Sequence, residues 1–458
     1  MRALTRTAPA PPLARALPLL AAGAAGAAAY AALRRVGGSS TTAEPNRHTK
    51  LAQLNGTPER RYYTGHNLKR AVAIEDLRAM AHRRLPRFAL EYLEGGAEDE
   101  ATLMRERRAF AEWRFTPKTL VDVSHRTLET QILGRPAAAP LIVAPTGLNG
   151  VFRNQADIDL ARGAAASGLP FVQSTMSNES MEDVGKIPGL RHWWQLYVFG
   201  GEEVWQELVA RAERAGCEAL VLTTNTQIFG NREWERRNEA SPSRLSVSAV
   251  ADAALHPGWL ARTLATQGMP AFKNVIDFVP KAHRSFFASA MWIRDHQPTS
   301  MSWDTVARIR DRWKKPFLLK GLLNLDDVRR ALDAGVDGVV LGSHGGRQLD
   351  WTVSALDLVA EARRIVDDRM ALQVTGGVRR GADLLKAIAL GADAVMAGRA
   401  PLYGVAAAGA AGVGRALEIL KSEALNAMGL LGASSVAELG PQFLMRTPSA
   451  AVDSDISS

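Results

Sequence analysis

From about residue 70 onward, short uninterrupted apolar runs alternate with longer stretches of helical spacing. The runs are Leu141–Pro145, Pro170–Thr175, His192–Val198, Ala219–Asn225, Pro316–Gly321, Gly338–His344, Ala371–Gly377 and Ala394–Arg399. Apolar residues at consecutive positions, rather than at every second one, predict parallel strands covered on both faces. Stretches between them, such as Asp326–Ala334 and Ala382–Leu390, carry the three-and-four spacing of amphipathic helices. Eight strand–helix units predict an α/β protein, a closed (β/α)8 TIM barrel with an N-terminal helical extension, rather than an open doubly wound sheet. No strand runs into a G-x-G-x-x-G turn, and GAAGVG at 409–414 lies within an Ala-rich helical pattern, which weighs against the open sheet. One link breaks the rhythm. About ninety residues separate the fourth run from the fifth. They read as a long, weakly structured loop after strand 4 that serves as a lid or docking surface. Its apolar stretches HPGWLARTL (256–264) and RSFFASAMWI (284–293) would face a membrane or the barrel itself.

Composition changes this picture only at the ends of the chain. With 47% hydrophobic and 22% charged residues, the 458-residue chain is an ordinary core-forming protein. Its net charge of +9 is concentrated in the first 70 residues, where eleven Lys/Arg face only Glu44 and Glu59. The body is neutral, so the excess points to a membrane surface and not to nucleic acid. Residues 1–62 read as a basic arm with an uncharged segment, 16–33, followed by a polar linker. That segment is at the lower length limit for crossing a bilayer. An anchor helix with a cytoplasmic catalytic body, a cleaved presequence and an unanchored leader all remain open. Residues 70–440 form the barrel, and 447–458 read as a disordered tail. Cys217 has no partner for an intrachain disulfide and, just before an apolar strand, reads as a packing residue.

The chemistry lies at the ends of the apolar runs. There the chain carries Thr146, Ser174, Gln195 with Tyr197, Thr223 with Asn225, Lys320, His344 with Arg347, Thr375 and Arg399. Active sites of such barrels gather at these C-terminal strand ends. The last two strands end in Gly376-Gly377-Val378-Arg379 and Gly398-Arg399. Glycines admit backbone N–H groups close to a phosphate, and arginine adds a forked charge. In Ser343-His344-Gly345-Gly346-Arg347-Gln348-Leu349-Asp350, a histidine able to take a proton near neutral pH stands three residues from an arginine able to clasp a carboxylate. No metal is expected.

These motifs, with Glu91-Tyr92, GGAEDE (95–100), APTG (144–147), QLY (195–197), LLKG (318–321), GGVRRG (376–381) and AGR (397–399), resemble the FMN-dependent 2-hydroxy acid dehydrogenase/oxidase family over roughly residues 70–440. Within that family the WWQLYV and APTGLNG segments look most like the bacterial membrane-associated dehydrogenases. The resemblance implies FMN as cofactor and oxidation of a small (S)-2-hydroxy acid to the 2-oxo acid. A quinone, another carrier or O2 would take the electrons, and a homo-oligomer is expected. His344 would be the base. Arg347, Arg232 and the Tyr92 hydroxyl would hold the substrate carboxylate, with Tyr197 beside them. Lys320 would stabilise the reduced flavin. Pro145, Thr146, Gly147, Ser174, Gln195 and Thr223 would line its ring, and Gly376, Gly377, Arg379, Gly398 and Arg399 would bind its phosphate. Three positions depart from the family pattern. Asn225 stands where an Asp normally pairs with the catalytic His, Thr375 replaces an Asp that contacts the ribityl chain, and Gly342 replaces a Ser. Asn225 is expected to lower the His344 pKa and slow proton abstraction. Two rival readings are a flavin-binding barrel that has lost catalysis and another FMN or phosphate-binding barrel enzyme such as an isomerase.

Overall fold

All eight apolar runs form strands. They are β1 (Leu141–Val143), β2 (Pro170–Ser174), β3 (Arg191–Leu196), β4 (Ala219–Thr223), β5 (Phe317–Leu322), β6 (Gly338–Leu341), β7 (Ala371–Thr375) and β8 (Ala394–Ala397). Neighbours pair in parallel in chain order, and β8 returns to β1, closing the barrel. The computed structural model describes residues 61–447 except 242, 243, 266 and 267. Nearly all of the basic arm, including the segment 16–33, lies outside the described residues, as does the tail from 448. Among the described residues no helix is long and apolar enough to cross a membrane.

The barrel interior is a separate apolar cluster. Ile142, Val172, Trp193, Ala219, Val221, Leu318, Val340, Ala394 and Met396 fill it, joined by Ile132 and Ala137 of an antiparallel hairpin (Thr130–Ile132 with Arg135–Ala137). Trp193 pairs in register with Ala219, so the largest interior side chain faces one of the smallest. β5 carries a bulge at Lys320–Leu322, where Gly321 has φ +109°. A Cβ there would lie 2.5 Å from the Asn225 amide carbon, so this glycine lets Asn225 settle against the strand.

Three helices precede the barrel: α1 (Ile74–Arg84), α2 (Arg87–Glu94) and α3 (Ala101–Ala111). Pro86 forces the break between the first two, because the residue before a proline avoids helical ψ; Leu85 is extended. Two later helices matter for the site. α4 (Ala355–Val366) is capped by Ser354, and α5 (Arg399–Leu431) begins directly after β8 and bends at Ala408–Gly409. The β4–β5 connection is more ordered than expected. It holds helices Glu233–Arg236, Val247–Ala254, Pro257–Thr263, Phe286–Asp295 and Trp303–Arg312. Its apolar stretches pack inward in part: Trp259 donates to the Val151 carbonyl, Phe286 stacks on Phe272, and Ile293 is buried. Cys217 is buried, and burial pushes its thiol up to about 12, away from nucleophilic reactivity.

Candidate active site

The strand ends open into one cavity of about 560 Å³. Side chains of a strand alternate between the barrel interior and the surrounding helices, and the interior positions turn polar at the C-terminal end. Val172 is followed two residues on by Ser174, Trp193 by Gln195, Val221 by Thr223 and Leu318 by Lys320. Ser174 donates to Gln195 Oε1 (3.0 Å), and Gln195 Nε2 donates to Thr223 Oγ1 (3.0 Å). This chain fixes the amide across three strands. Gln195 and Thr223 stand behind the cavity wall, whereas Pro145, Thr146, Gly147 and Ser174 line it. The Thr146 hydroxyl is buried there without a protein partner.

One end of the cavity is cationic. Lys320 is only 5% exposed, and burial pushes its ammonium down to about 8. His344 has φ +58° and its Nε2 lies 3.4 Å from the Tyr197 hydroxyl. Burial and then the charges of Lys320, Arg232, Arg347 and Arg399 hold its pKa well below the ordinary histidine value. A neutral imidazole is therefore the resting form. Burial likewise raises the Tyr197 phenol, which stays protonated. Tyr92, on α2, donates to the Gly147 carbonyl (3.0 Å) and lies under the Arg347 guanidinium, 4.9 Å from its ring centre. Arg347 donates to the carbonyls of Tyr92 (2.9 Å) and Gly95 (2.8 Å) and to Glu235 (2.5 Å). Arg232 donates to the Arg347 carbonyl (3.2 Å) and approaches Glu235 at 3.9 Å. Glu235 thus bridges the two arginines, a carboxylate that the sequence reading missed. Burial lowers the Arg232 pKa; at Arg347 burial is again the largest single influence, but the charge and hydrogen bond of Glu235 with Tyr92 and Tyr197 together outweigh it and raise the pKa.

The other end is built from the glycine turns. Gly376 and Gly377 have φ of +126° and +71°, a backbone region that favours glycine. The two arginines differ in how their donors are used. Arg399, at the first turn of α5, donates to the carbonyls of Leu93, Gly95 and Gly345, tying α2 to the β6 loop. Arg379 donates to the Tyr403 hydroxyl (3.0 Å), and its buried Nε has no hydrogen-bond acceptor. Glu106 and Arg107 of α3 line the same end. Neither was anticipated. In the fold, Thr102, Glu106, Ala109 and Phe110 are the buried residues of α3, so a carboxylate occupies its buried stripe.

The three departures from the family pattern touch one another. Asn225 Nδ2 donates to the Gly342 carbonyl (3.3 Å). A Cβ on Gly342 would overlap Thr375 Cγ2, so threonine at 375 is compatible with glycine at 342 and not with serine. Thr375 turns its hydroxyl to the Met396 carbonyl (3.0 Å). Asn225 and His344 share no hydrogen bond: His344 Nδ1 and Asn225 Oδ1 are both buried and both without partners.

A closed parallel barrel whose mouth joins a cationic, proton-accepting end to glycine turns with an arginine is a barrel enzyme built for a phosphorylated cofactor and an anionic substrate. The chain belongs to the FMN-dependent dehydrogenase family, whose model matches residues 81–446. It is 40% identical over 372 residues, 81% of this chain and 93% of the relative, to (S)-mandelate dehydrogenase of Pseudomonas putida. It is 37% identical over 376 residues, 82% of this chain and 89% of the relative, to a putative L-lactate dehydrogenase of Mycobacterium tuberculosis. Among solved structures, the monotopic membrane protein (S)-mandelate dehydrogenase superposes with a TM-score of 0.78 at 39% identity, covering 82% of this chain and 99% of that one. The protein is thus an FMN-dependent oxidoreductase acting on the CH–OH group of a 2-hydroxy acid. Its residues fit the flavin. Thr146 and Arg379 line the cavity, Gly376 and Gly377 open its backbone beside Arg379, and Lys320 supplies a buried cation.

Proposed function

We propose that the cationic end of the cavity binds the 2-hydroxy acid and that His344 takes its hydroxyl proton. The observation that carries this reading is the convergence of His344, Tyr197, Arg232, Arg347 and Lys320 on one end of the cavity, where His344 Nε2 lies 3.4 Å from the Tyr197 hydroxyl and burial and the surrounding cations push its pKa down. A base must be unprotonated before it acts. Arg347 and Arg232 would hold the carboxylate, displacing part of their attachment to Glu235, with Tyr92 and Tyr197 fixing its orientation. Lys320 would place its charge where negative charge develops on the cofactor. Pro145, Thr146, Gly147 and Ser174 would line the ring directly, Thr375 would line the cavity beside the glycine turn, and Gln195 and Thr223 would support the ring from behind. Gly376, Gly377, Arg379, Gly398 and Arg399 would surround the phosphate, with Arg379 making the direct contact and Arg399 shaping the turn. FMN, when bound, supplies the two-electron acceptor for the hydride leaving the substrate carbon.

Anaerobic rapid mixing with a panel including (S)-mandelate and L-lactate tests this reading. Bleaching of the flavin absorbance by at least one 2-hydroxy acid is expected, and no bleaching by any of them defeats it. The electrons would pass to a quinone, another carrier or O2. We also propose membrane association, supported by the monotopic relative and by the basic arm with its uncharged segment 16–33. A chain lacking residues 1–62 should stay flavin-loaded and leave the membrane fraction. If the full-length chain, uncleaved, is recovered only from the soluble fraction, this part is wrong.

A further inference from the structure

Glu106 has no place in the reaction just described, yet its carboxylate is only 2% exposed and lines the cofactor cavity. It accepts hydrogen bonds from Ser343 Oγ (2.6 Å), beside the catalytic histidine, and from Ser354 Oγ (2.8 Å), the cap of α4. A Cβ on Gly376 would lie 2.6 Å from Glu106 Oε2, and one on Gly377 would overlap the Glu106 backbone carbonyl. The side chain therefore stands against the turn that joins Thr375, at the end of β7, to Arg379. No basic side chain is within salt-bridge distance of its carboxylate among the described residues; the hydroxyls of Ser343 and Ser354 and the backbone of Ser343 and Ala355 hold it instead. Burial raises its pKa, while the serine and backbone hydrogen bonds oppose that rise. A carboxylate can accept several hydrogen bonds, so the bonds from the Ser343 and Ser354 side do not bar a further donor from the cavity that Glu106 lines. The neighbouring strand end supplies no acid, because position 375 is a threonine whose hydroxyl is committed to Met396.

We propose that Glu106 is a positioning residue for FMN: its carboxylate accepts from hydroxyls of the ribityl chain, between the residues facing the ring and those facing the phosphate. The role rests on the flavin placement proposed above. It also assigns an acid, supplied by α3 instead of β7, to the part of the site where Thr375 brings no charge.

The test separates the three parts of the flavin. Full-length protein stripped of cofactor is titrated with FMN, riboflavin and lumiflavin, which lacks the polyol chain, and flavin fluorescence is followed. Glu106→Gln should weaken FMN and riboflavin by similar factors, about 10-fold or more, since hydrogen bonds to a charged acceptor are the stronger kind. Lumiflavin affinity and the melting temperature of the stripped protein should not change. Unchanged FMN affinity, a loss confined to FMN, or an equal loss for lumiflavin would each overturn the proposal. If Glu106→Gln does not fold, Ser354→Ala replaces it: freeing one carboxylate oxygen should alter riboflavin affinity and spare lumiflavin, and equal effects on both refute the role. Wild-type protein that binds none of the three flavins defeats the flavin placement itself, a result distinct from these.

Discussion

The two ends of the barrel interior are made by the same strands and do opposite work. Toward the N-terminal end, Ile142, Val172, Trp193, Val221 and Leu318 close against the Thr130–Ala137 hairpin as an apolar plug. Two residues further along, Ser174, Gln195, Thr223 and Lys320 point inward from the same strands and are polar, although each is still no more than 5% exposed. Stability and chemistry are thus divided within a single pleat. The polar layer is tolerable because its members satisfy one another, as in the Ser174–Gln195–Thr223 chain. At the reacting end that satisfaction stops, and His344 Nδ1, Asn225 Oδ1 and Thr146 Oγ1 are left without partners.

If the division holds, substitutions at the two ends should fail differently. The largest effect is expected at His344. His344→Ala should slow flavin reduction roughly 10²–10⁴-fold, the usual contribution of a general base, while flavin stays bound and the melting temperature holds. Stopped-flow reduction with a reactive 2-hydroxy acid measures this, and a wild-type rate would remove His344 from the reaction. Trp193→Ala should do the reverse. Emptying this site opposite Ala219 should cost about 3–5 kcal/mol of stability, read from denaturant unfolding, with turnover per folded, flavin-loaded molecule little changed.

The boundary between the ends can be tested at the Gly342–Thr375 contact. Gly342→Ala should destabilise by about 1–3 kcal/mol through overpacking, and adding Thr375→Ser, which removes the opposing methyl, should recover most of it. Simple additivity in that double-mutant cycle would show that the two positions are not coupled. The smallest effect is expected at Asn225. An aspartate there would raise the His344 pKa and speed reduction about 10-fold, one pKa unit being worth about 1.4 kcal/mol. The sign is fixed by the base being active when neutral. Wild-type activity should be lost only as pH falls through a value well below 6.5, and Asn225→Asp should move that limb upward. Deprotonation of Lys320 should set an alkaline limb at or above about 8, because bound anionic groups can only raise that value. An unchanged pH–rate profile in Asn225→Asp would separate residue 225 from His344.

The barrel was legible because strands buried on both faces leave unbroken apolar runs, and all eight did so. The cavity's polar residues were legible for a related reason: a polar side chain ending such a run needs a purpose. Glu106 was not, since one glutamate in an amphipathic helix looks like a solvated residue until the partner surface is known. The link between Gly342 and Thr375 joins neighbouring strands, β6 and β7, and has no local signature. The unequal duties of Arg379 and Arg399 are tertiary too, because the carbonyls that occupy Arg399 come from α2 and the β6 loop. The helices of the β4–β5 connection were missed because they are short and interrupted.

A short antiparallel ribbon pairs Trp113–Phe115 with Leu444–Arg446, and Arg446 forms an ion pair with Glu112 across 334 residues of sequence. During synthesis, α2 and α3 emerge early, carrying Tyr92 and Glu106. Their resting places on β6, β7 and the start of α5 are translated hundreds of residues later. Closing loops of that span is entropically slow. The helices that help to line the cavity must therefore wait, with their apolar stripes exposed, until β6, β7 and α5 have been made. Assembly of the cofactor site becomes one of the last events in biogenesis, and a nascent chain arrested before β6 would have no pocket in which to retain FMN.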